Sequence, residues 1–122
     1  MKGIQDKDVY AEACAVLGDE GALAWLRVFR KDLADHLDRL GQGKLDTTAI
    51  RDMAHRTAGR AGLFGFRALS EASASLEDAL RRDDGIAVAL DHWTRQARLA
   101  VEASSDCRDA ATPDTRDRPT RG

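Results

Sequence analysis

Apolar residues recur along this chain at intervals of three and four, the spacing that gathers side chains on one face of an α-helix. The clearest case runs from Asp19 to Leu40, where Leu26, Phe29, Leu33, Leu37 and Leu40 fall on one narrow stripe at about 100° per residue. Asp19 is placed to cap its start, and Gly41 and Gly43 to end it. Asp46, Thr47 or Thr48 can cap a second helix whose inward face would be Ile50, Met53, Ala54, Thr57 and Ala61. That face is built mainly of small residues, and Gly62 and Gly65 close the helix. Phe66, Leu69, Ser73, Leu76 and Leu80 predict a third helix, stopped by Arg81-Arg82-Asp83-Asp84-Gly85. Ile86, Leu90, Trp93, Ala97 and Ala100 predict a fourth. Four amphipathic helices on short connections predict an all-α fold, an antiparallel up-down-up-down four-helix bundle. Ahead of it, Val9, Ala13, Val16 and Leu17 predict a short N-terminal helix covering one open end of the core.

The periodicity stops at Ser104, and the charged stretch that follows contains both prolines, Pro113 and Pro119. The expected division is a helical bundle over residues 1–104 and a disordered tail over 105–122. A chain of 122 residues with 43% hydrophobic and 33% charged residues has the balance of one soluble domain. A net charge of −2 lacks the basic excess of a nucleic-acid binder, so no nucleic-acid partner is expected. Cys14 and Cys107 have no metal-ligand spacing, and nothing resembles a signal peptide or a long apolar span. A cytoplasmic monomer with reduced thiols and no membrane contact is the expectation.

The candidate chemistry lies in the stretch from Ala54 to Phe66. On the helical wheel His55 stands about 140° from Ile50, the centre of the apolar face, and so points to solvent. Arg51 lies one turn before it, Gly59 one turn after and Gly62 about two turns after, with Asp52 and Ala58 flanking. Imidazole titrates close to neutrality, so a substantial fraction offers a nucleophilic lone pair. Glycine within a helix costs roughly 1 kcal/mol relative to alanine. On a solvent face, Gly59 makes room for an incoming protein surface more readily than it serves close packing. His36 sits at the edge of the Leu33-Leu37-Leu40 stripe, where a packed, hydrogen-bonded imidazole is expected, and His92 lies off the Trp93 face. The three histidines form no metal pattern. No phosphate loop, nucleophile elbow or oriented cysteine is present, which argues against an autonomous enzyme.

His55, Gly59, Ala61 and Gly65, followed by Leu69 and the Leu76-Glu77 pair, stand in the order and spacing of a known signature. The chain resembles the histidine-containing phosphotransfer domains over most of its length, from about Leu17-Gly18-Asp19 through Leu76-Glu77 and, in helix pattern, to about Val101. The resemblance implies a helical bundle in a multistep phosphorelay. Its histidine, here His55, accepts a phosphoryl group from an aspartyl phosphate on one response-regulator receiver domain and passes it to another. The phosphate would sit on the ring nitrogen farther from the backbone. A hybrid histidine kinase and receiver domains are the implied partners. The receiver would bring Mg²⁺ and its own acidic residues, and this chain would hold no cofactor of its own.

Two departures stand out. The family often has lysine three residues after the histidine, where this chain has Ala58. Arg51 is the substitute cation on the same face, whereas Arg56 and Arg60 point away. Arg51, Ala58, Gly59 and Gly62 are thus the expected receiver-docking and phosphate surroundings. Thr57 replaces the usual buried leucine, and its hydroxyl can bond back to the helix carbonyls. The alternative function is a non-catalytic helical-bundle interaction module that binds receivers without phosphorylation.

Overall fold

The computed structural model describes residues 4–111, with side-chain environments through residue 103. Five helices and no strand occur among these residues: α1 (Lys7–Leu17), α2 (Asp19–Gly41), α3 (Thr47–Leu63), α4 (Arg67–Arg82) and α5 (Ile86–Ala111). Packing runs around a ring in which α3 lies against α4, α4 against α5 and α5 against α2, with α1 laid on α2 and α3. The connections at residues 64–66 and 83–85 are short enough to join only packed neighbours that reverse direction. Among the described residues no helix is long and apolar enough to cross a membrane.

The predicted stripes meet in one core. Leu26, Phe29 and Leu33 of α2, Met53, Ala54 and Ala61 of α3, Leu69 and Leu76 of α4, and Trp93, Ala97 and Ala100 of α5 are buried together. Leu37, Leu40, Ile50, Ile86 and Leu90 are half-buried against that core. Phe29 packs its ring against Phe64 and Phe66, with centroids 5.6 and 5.8 Å away. Ser73, predicted on an apolar face, has a polar reason to be there. Its Oγ accepts from Trp93 Nε1 at 2.8 Å, satisfying a buried indole N–H that would cost about 1–3 kcal/mol if left alone.

The structure selects one of the caps expected for α3 and corrects other expectations. Asp46 is the cap of α3, its carboxylate accepting from Ala49 N at 2.8 Å. Asp19 is not a cap. The preceding Gly18, at φ 79°, takes the N-cap of α2 and leaves Asp19 as the first helical residue, where its charge suits the helix dipole. Of the four residues expected to cover the core, Ala13 is buried and Val9 half-buried, whereas Val16, at 82%, and Leu17, at 38%, are exposed; Tyr10 joins the inner face, half-buried with its ring 6.4 Å from Phe64. Helix α5 continues through Ala111, so the boundary expected at 104/105 falls inside a helix. Residues 112–122 of the expected tail, and the side chain of Cys107, lie outside the described residues. Cys14 is a half-buried free thiol.

The N-terminal segment is tied down by the turn between α3 and α4. Asp6 N donates to Gly65 O at 2.7 Å, and Gln5 Nε2 donates to Phe64 O at 2.8 Å. Gly65 has φ 90°, and a Cβ there would collide with the Asp6 carbonyl. Glycine therefore serves both the turn and the close approach of a second backbone.

Candidate functional site

Small residues bring α3 and α4 close together. Helix α3 packs against α4, and the buried residues Ala54 and Ala61 on α3 and Ala72 on α4 are small, as close approach of two helix backbones requires. Side chains at the rim of the seam can then reach across it. His55, on the opposite side of α3 from its buried face, has a side chain 74% exposed. Its Nδ1 lies 3.0 Å from Oε2 of Glu77, whose position is fixed by the fully buried Leu76 beside it in α4. The Glu77 side chain is only 26% exposed, so the carboxylate is held at the base of the imidazole.

This contact determines what the ring can do. An ionised carboxylate only accepts hydrogen bonds, so Nδ1 is the donor and carries a proton. In the neutral ring the lone pair then belongs to Nε2, the nitrogen farther from the backbone. The result is an exposed imidazole whose Nδ1 is engaged by a carboxylate.

A second tie across the seam lies one turn further along α3. Ser70 Oγ donates to the Ala58 carbonyl at 2.7 Å, fixing the backbone between His55 and Gly62. Ala58 is half-buried. Gly59 is exposed, and a Cβ built on it would meet nothing within 4 Å. Its missing side chain leaves an open rim and serves no internal packing. Gly62 sits in the last turn of α3, where a Cβ would make ordinary contact, 3.5 Å, with Ser70 Oγ. Arg51 is exposed and has no salt bridge among the described residues. His55, Arg51, Gly59 and Gly62 thus share the open side of α3, with Ala58 at its edge.

The other histidines differ as the wheel indicated, with one correction. His92 is exposed on α5. His36 is half-buried between α2 and α3, but its Nδ1 has no hydrogen-bond partner, so it is packed and not satisfied as expected. Burial pushes its titration below the usual histidine range, Asp32 opposes that shift, and Arg56 and Arg39 add to it. Thr57 is buried, and a hydroxyl bonded back to a helix carbonyl is seen on α5, where Thr94 Oγ1 donates to Leu90 O at 2.8 Å. Arg56 and Arg60 turn toward α2, where Arg60 pairs with Asp32 at 2.9 Å. Glu77 is the residue that sequence reasoning left without a role. It was visible only as half of the Leu76-Glu77 pair, whose spacing from His55 gives no sign of contact.

No group of three or more His, Cys, Asp or Glu side chains that could hold a metal occurs among the described residues. No curated protein and no solved structure matches the chain. The family model of the Hpt domain matches residues 24–107, which includes all of α3 and α4 and most of α2 and α5. Hpt domains are phosphocarrier modules that interact with receiver domains in phosphorelays. With more than half of its length matched, the chain belongs to the Hpt domain family, a phosphotransfer-type module of two-component signalling.

Proposed function

We propose that this protein carries a phosphoryl group on Nε2 of His55 between receiver domains of a multistep phosphorelay fed by a hybrid histidine kinase. The observation that carries the reading is the His55–Glu77 contact. It favours the tautomer that keeps its proton on Nδ1 and its lone pair on Nε2, and the side chain is three-quarters exposed to a partner. In the transfer, the Nε2 lone pair forms the N–P bond as the O–P bond of the receiver's aspartyl phosphate breaks, and the bonding pair departs with the aspartate carboxylate. The Nδ1 proton stays on the ring, which becomes cationic, and the Glu77 carboxylate offsets that charge. Passing the group to a second receiver reverses each change. Phosphoryl transfer depends chiefly on in-line positioning and charge neutralisation. The receiver supplies Mg²⁺ and its acidic pocket, while this chain supplies the oriented nucleophile, Arg51 as a nearby cation, and the open rim at Gly59 and Gly62 for docking. In this reading the protein acts as a monomeric carrier in the cytoplasm, not as an enzyme.

The test is incubation with a phosphorylated receiver domain, followed by mass detection and acid–base lability of the label. The wild type should gain one acid-labile, base-stable phosphoryl group, and His55→Gln should gain none while keeping its helicity. Full labelling of His55→Gln, or no labelling of the wild type while receivers still bind, would replace this reading with that of a receiver-binding module without phosphorylation.

A further inference from the structure

The ring of packed helices has one loose side. Helix α3 packs on α4, α4 on α5 and α5 on α2, but α2 and α3 make no comparable close approach. The residues between them explain why. On α2, Asp32, Asp35, His36 and Arg39 recur at the spacing of one helix face, and on α3 Arg56 and Arg60, one turn apart, stand opposite. Long polar side chains hold two helix backbones apart where small ones would let them close. A cleft of about 260 Å³ results, floored by the buried Phe29, Leu33 and Thr57. It is smaller than the roughly 300–1,000 Å³ of pockets that hold drug-sized ligands.

Charge in this cleft is unbalanced. Arg60 is paired with Asp32 at 2.9 Å, while Arg39 and Arg56 have no salt-bridge partner among the described residues. Three guanidinium groups thus face two carboxylates, before His36 is counted. Burial pushes His36 below the usual histidine range, Asp32 opposes the shift, Arg56 and Arg39 add to it and Asp35 opposes it. Its Nδ1 is buried without a hydrogen-bond partner, a polar atom that the bundle alone leaves unpaired. An anion in the cleft would relieve the repulsion among Arg39, Arg56 and a protonated His36.

We propose that the α2–α3 cleft binds a small tetrahedral dianion, inorganic phosphate or the phosphate group of a small phosphomonoester, held between Arg39 on one wall and Arg56 on the other with Arg60 beside it. A guanidinium fork matches the oxygens of such an anion bidentately. The arginines come from opposite walls, so they suit an anion whose oxygens point out of one plane, as those of phosphate do and those of a single carboxylate do not. The excess of positive charge repels cations and gives a neutral solute no advantage. The site does not include His55, whose Nδ1 is turned to Glu77 on α4, whereas Arg56 and Arg60 face α2. The anion is held here without a covalent step and leaves His55 open, so the inference does not depend on the phosphoryl-carrier reading. By bridging α2 and α3 it would also tighten the loose side of the bundle and stabilise it by mass action.

The test titrates the full chain with inorganic phosphate at constant ionic strength and pH, with no phosphoryl donor present, and follows the three histidine rings by NMR together with Tm. The His36 signals should shift saturably, with a Kd of about 1 mM, while those of His55 and the exposed His92 stay in place, and Tm should rise with phosphate. Arg39→Gln and Arg56→Gln should each weaken binding about three- to fivefold. Asp35→Asn removes a repelling carboxylate and should tighten it about two- to threefold, a gain that a misfolded variant could not give. His55→Gln should bind as the wild type does. Glycerol 3-phosphate binding more tightly than phosphate would support a phosphomonoester as the ligand, and the reverse order would support inorganic phosphate. Shifts that do not saturate, that chloride reproduces at the same ionic strength, or that succinate produces at equal concentration would overturn the proposal. So would binding indifferent to both arginine variants and to Asp35→Asn, or binding lost in His55→Gln, which would place the anion on the other flank of α3.

Discussion

Nδ1 of His55 and Oε2 of Glu77 stand 3.0 Å apart across the seam between α3 and α4, which fixes the tautomer of an otherwise exposed imidazole. A free imidazole divides its proton between two nitrogens and turns about its side-chain bonds. With Glu77 in place, the ring is oriented before any partner arrives. The ordering entropy is then met by folding and not at the moment of transfer.

Glu77→Ala should therefore slow phosphoryl uptake from a phosphorylated receiver by about two- to fivefold, the value of one partly exposed charge-assisted contact. Glu77→Gln, which keeps an acceptor but loses the negative charge, should fall between wild type and alanine. Nitrogen NMR of the imidazole separates this from a packing effect, because Glu77→Ala should shift the ring toward the Nε2-protonated tautomer. An unchanged tautomer together with unchanged rates would remove Glu77 from the mechanism.

The limits of the sequence show in the same pair. A helical wheel assigns each residue a direction within its own helix, and that was enough to turn His55 outward and to put Leu26, Met53, Leu76 and Trp93 inward. It carries no information about the relative height of two helices, so the contact between residues 55 and 77 could not be read from it. The same holds for Gln5 and Phe64, bonded across 59 positions, and for the cleft at His36, whose shape depends on how α2 and α3 diverge. Local chemistry misled in two places. Gly18 displaced Asp19 as the cap because its positive φ lets the chain turn sharply from α1 into α2, and Val16 fell outside the buried face of a short helix whose inner contacts are Ala13 and Tyr10.

Gly59 separates docking from stability. A Cβ at this position meets nothing within 4 Å, so Gly59→Leu should fold and gain up to about 1 kcal/mol of helix propensity. The same side chain would stand one turn from His55 in the path of a receiver. Thermal melting should show equal or higher stability, while transfer falls by about tenfold or more. Transfer at the wild-type rate would mean that the glycine is only tolerated.

Arg51 is expected to supply part of the positive charge that lysine at position 58 would give. Arg51→Ala should slow transfer by about two- to fivefold, in keeping with one exposed charge near a phosphoryl group. Ala58→Lys in that background should restore part of the loss, with its aliphatic stem laid along the half-buried site and its ammonium at the rim. Raising the salt concentration should shrink both effects. Identical rates in all variants at low salt would assign the whole of the neutralisation to the receiver.

Gly65 couples the N-terminal segment to the end of α3. Gly65→Ala puts a Cβ onto the Asp6 carbonyl and forces alanine to φ 90°, so the bonds from Asp6 N and Gln5 Nε2 to the turn should both fail. A loss of about 2–3 kcal/mol is expected, measured by urea denaturation. Amide exchange should rise first in α1. Uniform destabilisation without selective exposure of α1 would show that the strain spreads through the bundle instead.

His36 should make stability depend on pH in a window where carboxylates do not. Burial lowers its folded-state pKa, with Asp32 opposing and Arg56, Arg39 and Asp35 contributing in the senses their charges dictate. In the unfolded chain the imidazole takes a proton at its ordinary value, while the folded protein resists it. Above that ordinary value both states are neutral and stability is complete; it falls as the pH drops below it and stops falling once the lowered folded value has been passed. Because the side chain is only half-buried, solvent screening keeps the effect near about 0.5 kcal/mol, or roughly 2–4 °C in Tm for a domain of this size. Thermal melts at intervals between pH 7.5 and about 5 should show this decline in the wild type and a flatter curve in His36→Gln. Arg56→Gln should flatten the curve as well, by allowing His36 to protonate more easily in the folded state, whereas Asp32→Asn should steepen it. A wild-type curve no steeper than that of His36→Gln would show that solvent reaches the imidazole well enough to cancel the penalty of burial.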